Sequence, residues 1–153
     1  RFGAFLEDVE CFDSAAFGIS SSEADLMDPQ HRLLLEHAAE AVSFSAFQTP
    51  GCEQQGSRQW PVYIGIQAME YGQLSAPHQA SLSPYSATSG NLSVSAGRIA
   101  YLFGLTGAAV AVDTACSAAL VATHLAVRDM WLGGQQGGLA GGVNLTLSTK
   151  GYT

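Results

Sequence analysis

Apolar positions recur along the chain in two rhythms, and the switch between them marks out alternating helices and strands. Over residues 29–44, Leu34, Leu35, Ala38, Ala39 and Val42 recur at spacings of three and four, while Arg32, Glu36 and Glu40 fall largely opposite. That period predicts a helix packed on one face. Asp28-Pro29 predicts its start, with the aspartate as N-cap and the proline at the first helical position, where its missing N–H costs nothing. Val62-Tyr63-Ile64-Gly65-Ile66-Gln67 is a β-rich run with little charge, as expected of a central strand in a sheet covered by helices. Ser89 to Phe103 predicts a second helix, apolar nearly all round apart from Arg98, and hence a buried layer. Gly104 and Gly107 permit the turn into Ala108–Asp113, an apolar strand-like run. The chain then passes through Thr114-Ala115-Cys116-Ser117 into a long Ala/Leu helix, predicted from Cys116 to Leu132 and ended by Gly133-Gly134. Ala118, Ala119, Ala122 and Ala126 permit close approach, so this helix reads as nearly encircled by core. Leu139–Leu145 is a third strand-like run, with Gly141-Gly142 where backbone passes close to a neighbour. Strands alternating with helices predict a mostly parallel α/β sheet.

Between these elements the pattern loosens. Arg1–Ser22 reads as turn and extended structure, with Phe2, Phe5, Phe12 and Phe17 as anchors onto a core. Gln48–Pro61, with two prolines and two glycines, reads as an exposed loop. Ala68–Thr88 is polar and proline-containing, and its Met69, Tyr71 and Tyr85 are pocket candidates for which structural packing is the safer assignment. Arg98, in an apolar helix, needs a carbonyl or carboxylate acceptor, because a guanidinium does not deprotonate in proteins.

Composition narrows the function classes. The 153 residues, 47% of them apolar, fit one globular unit with a core. Thirteen Asp and Glu against six Lys and Arg leave a net charge of −7, which argues against a nucleic-acid surface. The uncharged stretches on either side of Asp113 fall short of the roughly 18 residues of a membrane span, so no membrane partner is expected. Three cysteines, Cys11, Cys52 and Cys116, form no close pair of the zinc-binding kind and point to a reduced, cytoplasmic protein with no metal. His31 and His37, six apart, share no metal-binding face and read as solvated or core-edge residues. Asn91-Leu92-Ser93 and Asn144-Leu145-Thr146 match the glycosylation sequon by chance, since a buried helix and a strand would not be modified.

The chemistry concentrates at Cys116. A thiol at a helix start meets the positive end of the helix dipole and the unpaired N–H groups of the first turn, both of which favour the thiolate. On position alone a buried small residue is an equal reading, since free cysteine is among the most buried types. His124, eight residues on and about 12 Å along a helix, is too far to be its base.

The segment Val112-Asp113-Thr114-Ala115-Cys116-Ser117-Ala118-Ala119-Leu120-Val121-Ala122 resembles the nucleophile motif of β-ketoacyl synthases. Arg1–Val9, Phe12-Asp13, Phe17-Gly18-Ile19-Ser20 and Met27-Asp28-Pro29-Gln30-His31-Arg32-Leu33-Leu34-Leu35-Glu36 resemble the opening blocks of that domain in type I polyketide and fatty acid synthases. Ala140-Gly141-Gly142-Val143-Asn144-Leu145 resembles its next strand. The family usually has a Gly-Pro-Ser turn where this chain has Gly107-Ala108-Ala109, and often serines where Ala118 and Ala119 stand.

The resemblance implies the N-terminal half of a thiolase-like αβαβα layered fold, with residues 1–153 as a β-ketoacyl synthase N-terminal region truncated at both ends. It also implies that Cys116 attacks an acyl thioester carried on the phosphopantetheine of an acyl carrier protein, with its own backbone N–H contributing to the oxyanion hole. No cofactor is expected to bind directly. Decarboxylative condensation with a malonyl-type thioester follows in the family, through two histidines and a lysine in its second half. A homodimer is implied for the complete domain. Two other readings compete: a non-catalytic remnant or dimerisation module built on the strand near Ala108–Asp113, and another thiolase-fold acyltransferase. The latter should lack the blocks at Arg1–Val9 and Met27–Glu36.

Overall fold

The computed structural model describes residues 4–48, 58–67, 70–75 and 84–148. Phe2, Cys52, Met69 and most of the loop expected over Gln48–Pro61 lie outside them.

Asp28 opens the first long helix as the sequence predicts. Its carboxylate accepts the Gln30 N–H at 2.8 Å and its carbonyl accepts the His31 N–H at 2.9 Å, satisfying donors that the first turn leaves orphaned. The helix α2 runs over Pro29–Gln48 and buries Leu34, Leu35 and Ala38 against the sheet side. Ahead of it stands a shorter helix, α1 (Ser21–Leu26), which the turn-rich reading of the N-terminus missed; the Ser20 hydroxyl caps it by accepting the Glu23 N–H. Phe12 and Phe17 stack with centroids 5.3 Å apart and pack on the core, whereas Phe5 is 80% exposed among the described residues.

Three strands form one parallel sheet: β1 (Val62–Ile66) lies at the centre, flanked by β2 (Ala109–Val112) and β3 (Leu139–Val143). β1 is buried on both faces, as its uncharged run demands. Trp60 and Pro61 lead into it and are packed rather than looped out, with Pro61 fully buried. The short helices α3 (Tyr71–Ser75) and α4 (Ser86–Ser89) follow β1. α5 (Leu92–Leu102) starts three residues later than its apolar run suggests, because the Asn91 side chain accepts the Ser93 N–H and sets the N-cap there. It buries Ser95, Ala96, Ile99 and Ala100, but Tyr101 is 85% exposed, so the helix is covered on one side and not all round.

The last helix, α6 (Ala118–Gly133), ends at Gly134, whose φ of 62° supplies the left-handed C-cap. Only Ala118, Ala122 and Ala126 are buried. Leu120 and Trp131 lie on its opposite face, and Leu120, Trp131 and Leu132 are 74%, 83% and 76% exposed. The described residues cover one face of α6 and leave an apolar face uncovered, so the encirclement by core expected of this helix is half supplied by them. No described helix is long and apolar enough to cross a membrane.

Candidate functional site

Between β2 and α6 the chain makes a tight turn that the side chains of three polar residues hold in place around one strained backbone position. The Asp113 carboxylate accepts the Ala115 N–H at 3.1 Å. The Ser117 hydroxyl donates to the Thr114 carbonyl at 2.8 Å and lies 3.0 Å from the Thr114 hydroxyl. Ala115 carries a φ of 52°, a left-handed conformation that costs an L-residue roughly 1–2 kcal/mol. Strain of this kind persists only where the surroundings over-determine it.

Residues Ala115–Ser117 form a single 3₁₀ turn, so Cys116 stands just ahead of α6 rather than inside its first turn as predicted. The first bond within the turn joins the Ser117 N–H to the Thr114 carbonyl, which leaves the Cys116 N–H ahead of the ladder. Cys116 is a free thiol and is exposed among the described residues.

The thiol borders a cleft of about 290 Å³ at the carboxyl ends of β1 and β3, lined by Gly65, Ile66 and Gln67 on one side and Gly142, Val143 and Asn144 on the other. Crevices at the carboxyl ends of parallel strands are where open α/β sheets bind ligands. Two glycines, register partners across β1 and β3, let α6 sit this close: a Cβ on Gly65 or on Gly142 would each fall 2.5 Å from atoms of Ala118 or Ala119. Gly142 is the close approach that the paired glycines predict; Gly141 meets nothing nearer than Ile64 Cδ1 at 3.5 Å. Gly65 carried the same signal, an isolated glycine inside an apolar strand. Gln67 and Asn144, the polar side chains of the cleft, had no periodic signal to mark them.

The other titratable residues gather elsewhere. Among the described residues, no histidine lines the cleft. His37 is exposed beside Glu40 at 3.2 Å, and His124 is exposed on α6. His31 is corrected from core edge to core: it is 1% exposed, and neither ring nitrogen has a hydrogen-bond partner among the described residues. Burial, helped by the nearby Arg98 charge, holds its pKa down at about 4, so it is neutral at pH 7. Burial likewise pushes the Asp28 carboxyl up, against the opposing bonds from Gln30 and the charge of Arg32. Arg98 finds the acceptor it requires in the Glu23 carboxylate.

Arg32, expected on the solvent side of α2, is buried instead. It donates through Nε to the Met27 carbonyl at 3.0 Å and through Nη1 to the Glu10 carbonyl at 3.3 Å, and its guanidinium lies over the Tyr71 ring at 5.7 Å. The Tyr71 hydroxyl donates to the Asp25 carbonyl at 2.7 Å. Among the described residues, no group of three His, Cys, Asp or Glu side chains is placed to hold a metal ion.

Comparison with known proteins adds a consistent set of relatives. The family model for the β-ketoacyl synthase N-terminal domain matches residues 1–153. A mycocerosic acid synthase-like polyketide synthase of Mycolicibacterium smegmatis is 42% identical over 150 residues, which are 98% of this chain and 7% of that protein. One component of the phenolphthiocerol/phthiocerol polyketide synthase of Mycobacterium tuberculosis is 45% identical over 148 residues, covering 97% of this chain and 8% of that one. The ketosynthase from module 6 of the bacillaene synthase of Bacillus subtilis superimposes with a TM-score of 0.80 at 34% identity, over 97% of this chain and 24% of the ketosynthase. The chain thus spans under a tenth of the curated relatives' length and about a quarter of a solved ketosynthase.

Proposed function

Because the chain belongs to the β-ketoacyl synthase family, matching its N-terminal domain throughout, we propose that it is the part of a polyketide synthase condensing domain that stores the growing acyl chain on Cys116. Its sheet and helices are the incomplete N-terminal half of the thiolase-like layered fold seen in solved ketosynthases. The observation that carries the proposal is the setting of Cys116: an exposed thiol on a strained turn, immediately ahead of a helix, facing a cleft at the carboxyl ends of two strands.

In the proposed step the Cys116 thiolate attacks the carbonyl carbon of an acyl thioester on the phosphopantetheine of an acyl carrier protein. A new carbon–sulfur bond forms, the old one breaks, and the pantetheine leaves as a thiol after taking up a proton. The Cys116 N–H donates to the oxyanion that forms in passing. The second step, decarboxylation of a malonyl-type thioester and attack of the resulting enolate on the stored acyl group, is assigned to the histidines that the family carries in its second half; among the described residues no histidine lines this cleft. The apolar outer face of α6 is where a second, similar half packs, and the outer strand β2, with Ala109 and Val110 exposed, is the edge at which the complete domain dimerises.

The test is acyl loading, read as intact mass after the full-length protein meets an acyl-N-acetylcysteamine thioester. Cys116→Ala should abolish the added mass while leaving the melting temperature in place. Loading that survives the substitution overturns the assignment.

A further inference from the structure

After β3 the chain runs through 144–148 without helix or strand, and two side chains from distant elements hold its backbone. The Leu145 N–H donates to Gln30 Oε1 at 3.1 Å. The Leu147 and Ser148 N–H groups both donate to Glu70 Oε2, at 2.9 and 2.8 Å. Two successive amides converging on one carboxylate oxygen form a charge-assisted clamp, stronger than neutral bonds of the same length. Glu70 is itself fixed. Its carbonyl accepts the Gln73 and Leu74 N–H groups at the start of α3, and the adjoining Tyr71 is tied to Asp25 and Arg32. The clamped segment begins at Asn144, which lines the Cys116 cleft.

We propose that Glu70, seconded by Gln30, is a positioning residue that sets the cleft wall carried by 144–148, and through it the fit of the acyl group beside Cys116. The role of the cleft rests on the function proposed above; the placement of the wall does not. Glu70 touches no reacting atom. Its carboxylate acts by holding the backbone, so its removal lets the segment relax away from Cys116. Small displacements matter disproportionately for a reacting group held in a defined geometry.

The experiment uses two alkylating probes on the full-length protein, iodoacetamide and the bulkier N-phenylmaleimide, with modification at Cys116 followed by peptide mass spectrometry. In Glu70→Ala the ratio of maleimide to iodoacetamide rate constants should rise about threefold or more, with iodoacetamide itself within about twofold of wild type. Glu70→Gln, which keeps a carbonyl oxygen for the two amides, should return most of the way to the wild-type ratio. An unchanged ratio in Glu70→Ala overturns the inference. So does a rise in both rates together with a fall in melting temperature, which signals general loosening. Neither probe needs acyl chemistry, so a wild-type protein that fails to load thioester refutes the proposed function while the probe ratio still decides the role of Glu70.

Discussion

Ala118 passes over Gly65 so closely that a Cβ on the glycine would stand 2.5 Å from the Ala118 carbonyl carbon. The atoms in the way are backbone, at the start of the helix that follows Cys116, and no rotamer change relieves the overlap. Gly65→Ala must push the start of α6 off the sheet, at a cost of about 1–3 kcal/mol, and it should cut acyl loading on Cys116 by about 10- to 100-fold. Gly141→Ala supplies the contrast, since its Cβ meets only Ile64 Cδ1 at 3.5 Å. Parallel melting and loading assays should separate the two; equal behaviour would show that α6 is not seated by Gly65.

Ala115 should respond in the opposite sense. Glycine takes up its φ of 52° without the Cβ conflict. Relief of that strain, less the entropy glycine adds to the unfolded chain, leaves a net stabilisation of about 0.5–1 kcal/mol for Ala115→Gly. The freer turn holds Cys116 less firmly, so loading should slow several-fold while the urea midpoint rises. A variant that is less stable than wild type would show that the left-handed residue is not strained.

The parts of this structure legible from sequence are those in which one physical rule acts alone. The β1 run has no charge because both faces are buried, and Asp28-Pro29 starts a helix because cap and proline agree. The errors fall where local and tertiary signals compete. Arg32 occupies a polar position in the α2 pattern, yet three carbonyl and ring partners from other segments draw it inside. His31 is polar in the sequence and core in the structure for want of any local signal. The sequence of α6 asks for burial all round, and the exposed Leu120 and Trp131 mark a face on which the described residues place nothing. Cys116 stands out through motif and helix position together, whereas Glu70 is invisible in sequence because its partners, Leu147 and Ser148, are backbone amides that any residue carries.

His31 makes stability depend on pH. Its folded pKa of about 4 lies below the 6.5 of an unperturbed imidazole, so the unfolded chain binds the proton first as pH falls. The stabilisation is fully present above pH 6.5 and is lost progressively down to pH 4; by pH 5 the loss is about 2 kcal/mol. Asp28, whose folded carboxyl is raised by burial, works in the other direction and offsets part of this as the pH falls through its folded pKa. Between pH 7 and pH 5 the urea midpoint should fall for wild type and stay nearly level for His31→Gln. Parallel curves for the two proteins would place the titrating group elsewhere.

Arg98 and Glu23 test whether the pair that joins α5 to α1 stabilises the fold or only avoids an unpaired charge. Their side chains are 11% and 21% exposed, so the pair is neither a solvated surface bridge nor a fully dry one. Removing one partner strands the other: Glu23→Met leaves a guanidinium whose Nε already has no hydrogen-bond partner among the described residues. Each single change to methionine should therefore cost about 2 kcal/mol, between the values for exposed and buried pairs. Replacing both with methionine removes the stranded charge, and the double variant should be well more stable than the summed single costs imply, with a coupling of about 1–2 kcal/mol in a double-mutant cycle. Arg98→Met should also raise the folded His31 pKa, because the cation that disfavours the imidazolium is gone. With the folded value closer to the unfolded 6.5, less stability is lost on acidification, so the fall in urea midpoint from pH 7 to pH 4 should be smaller than in wild type. Additive single costs with an unchanged acid loss would mean that Arg98 and Glu23 act independently and that the charge beside His31 is screened.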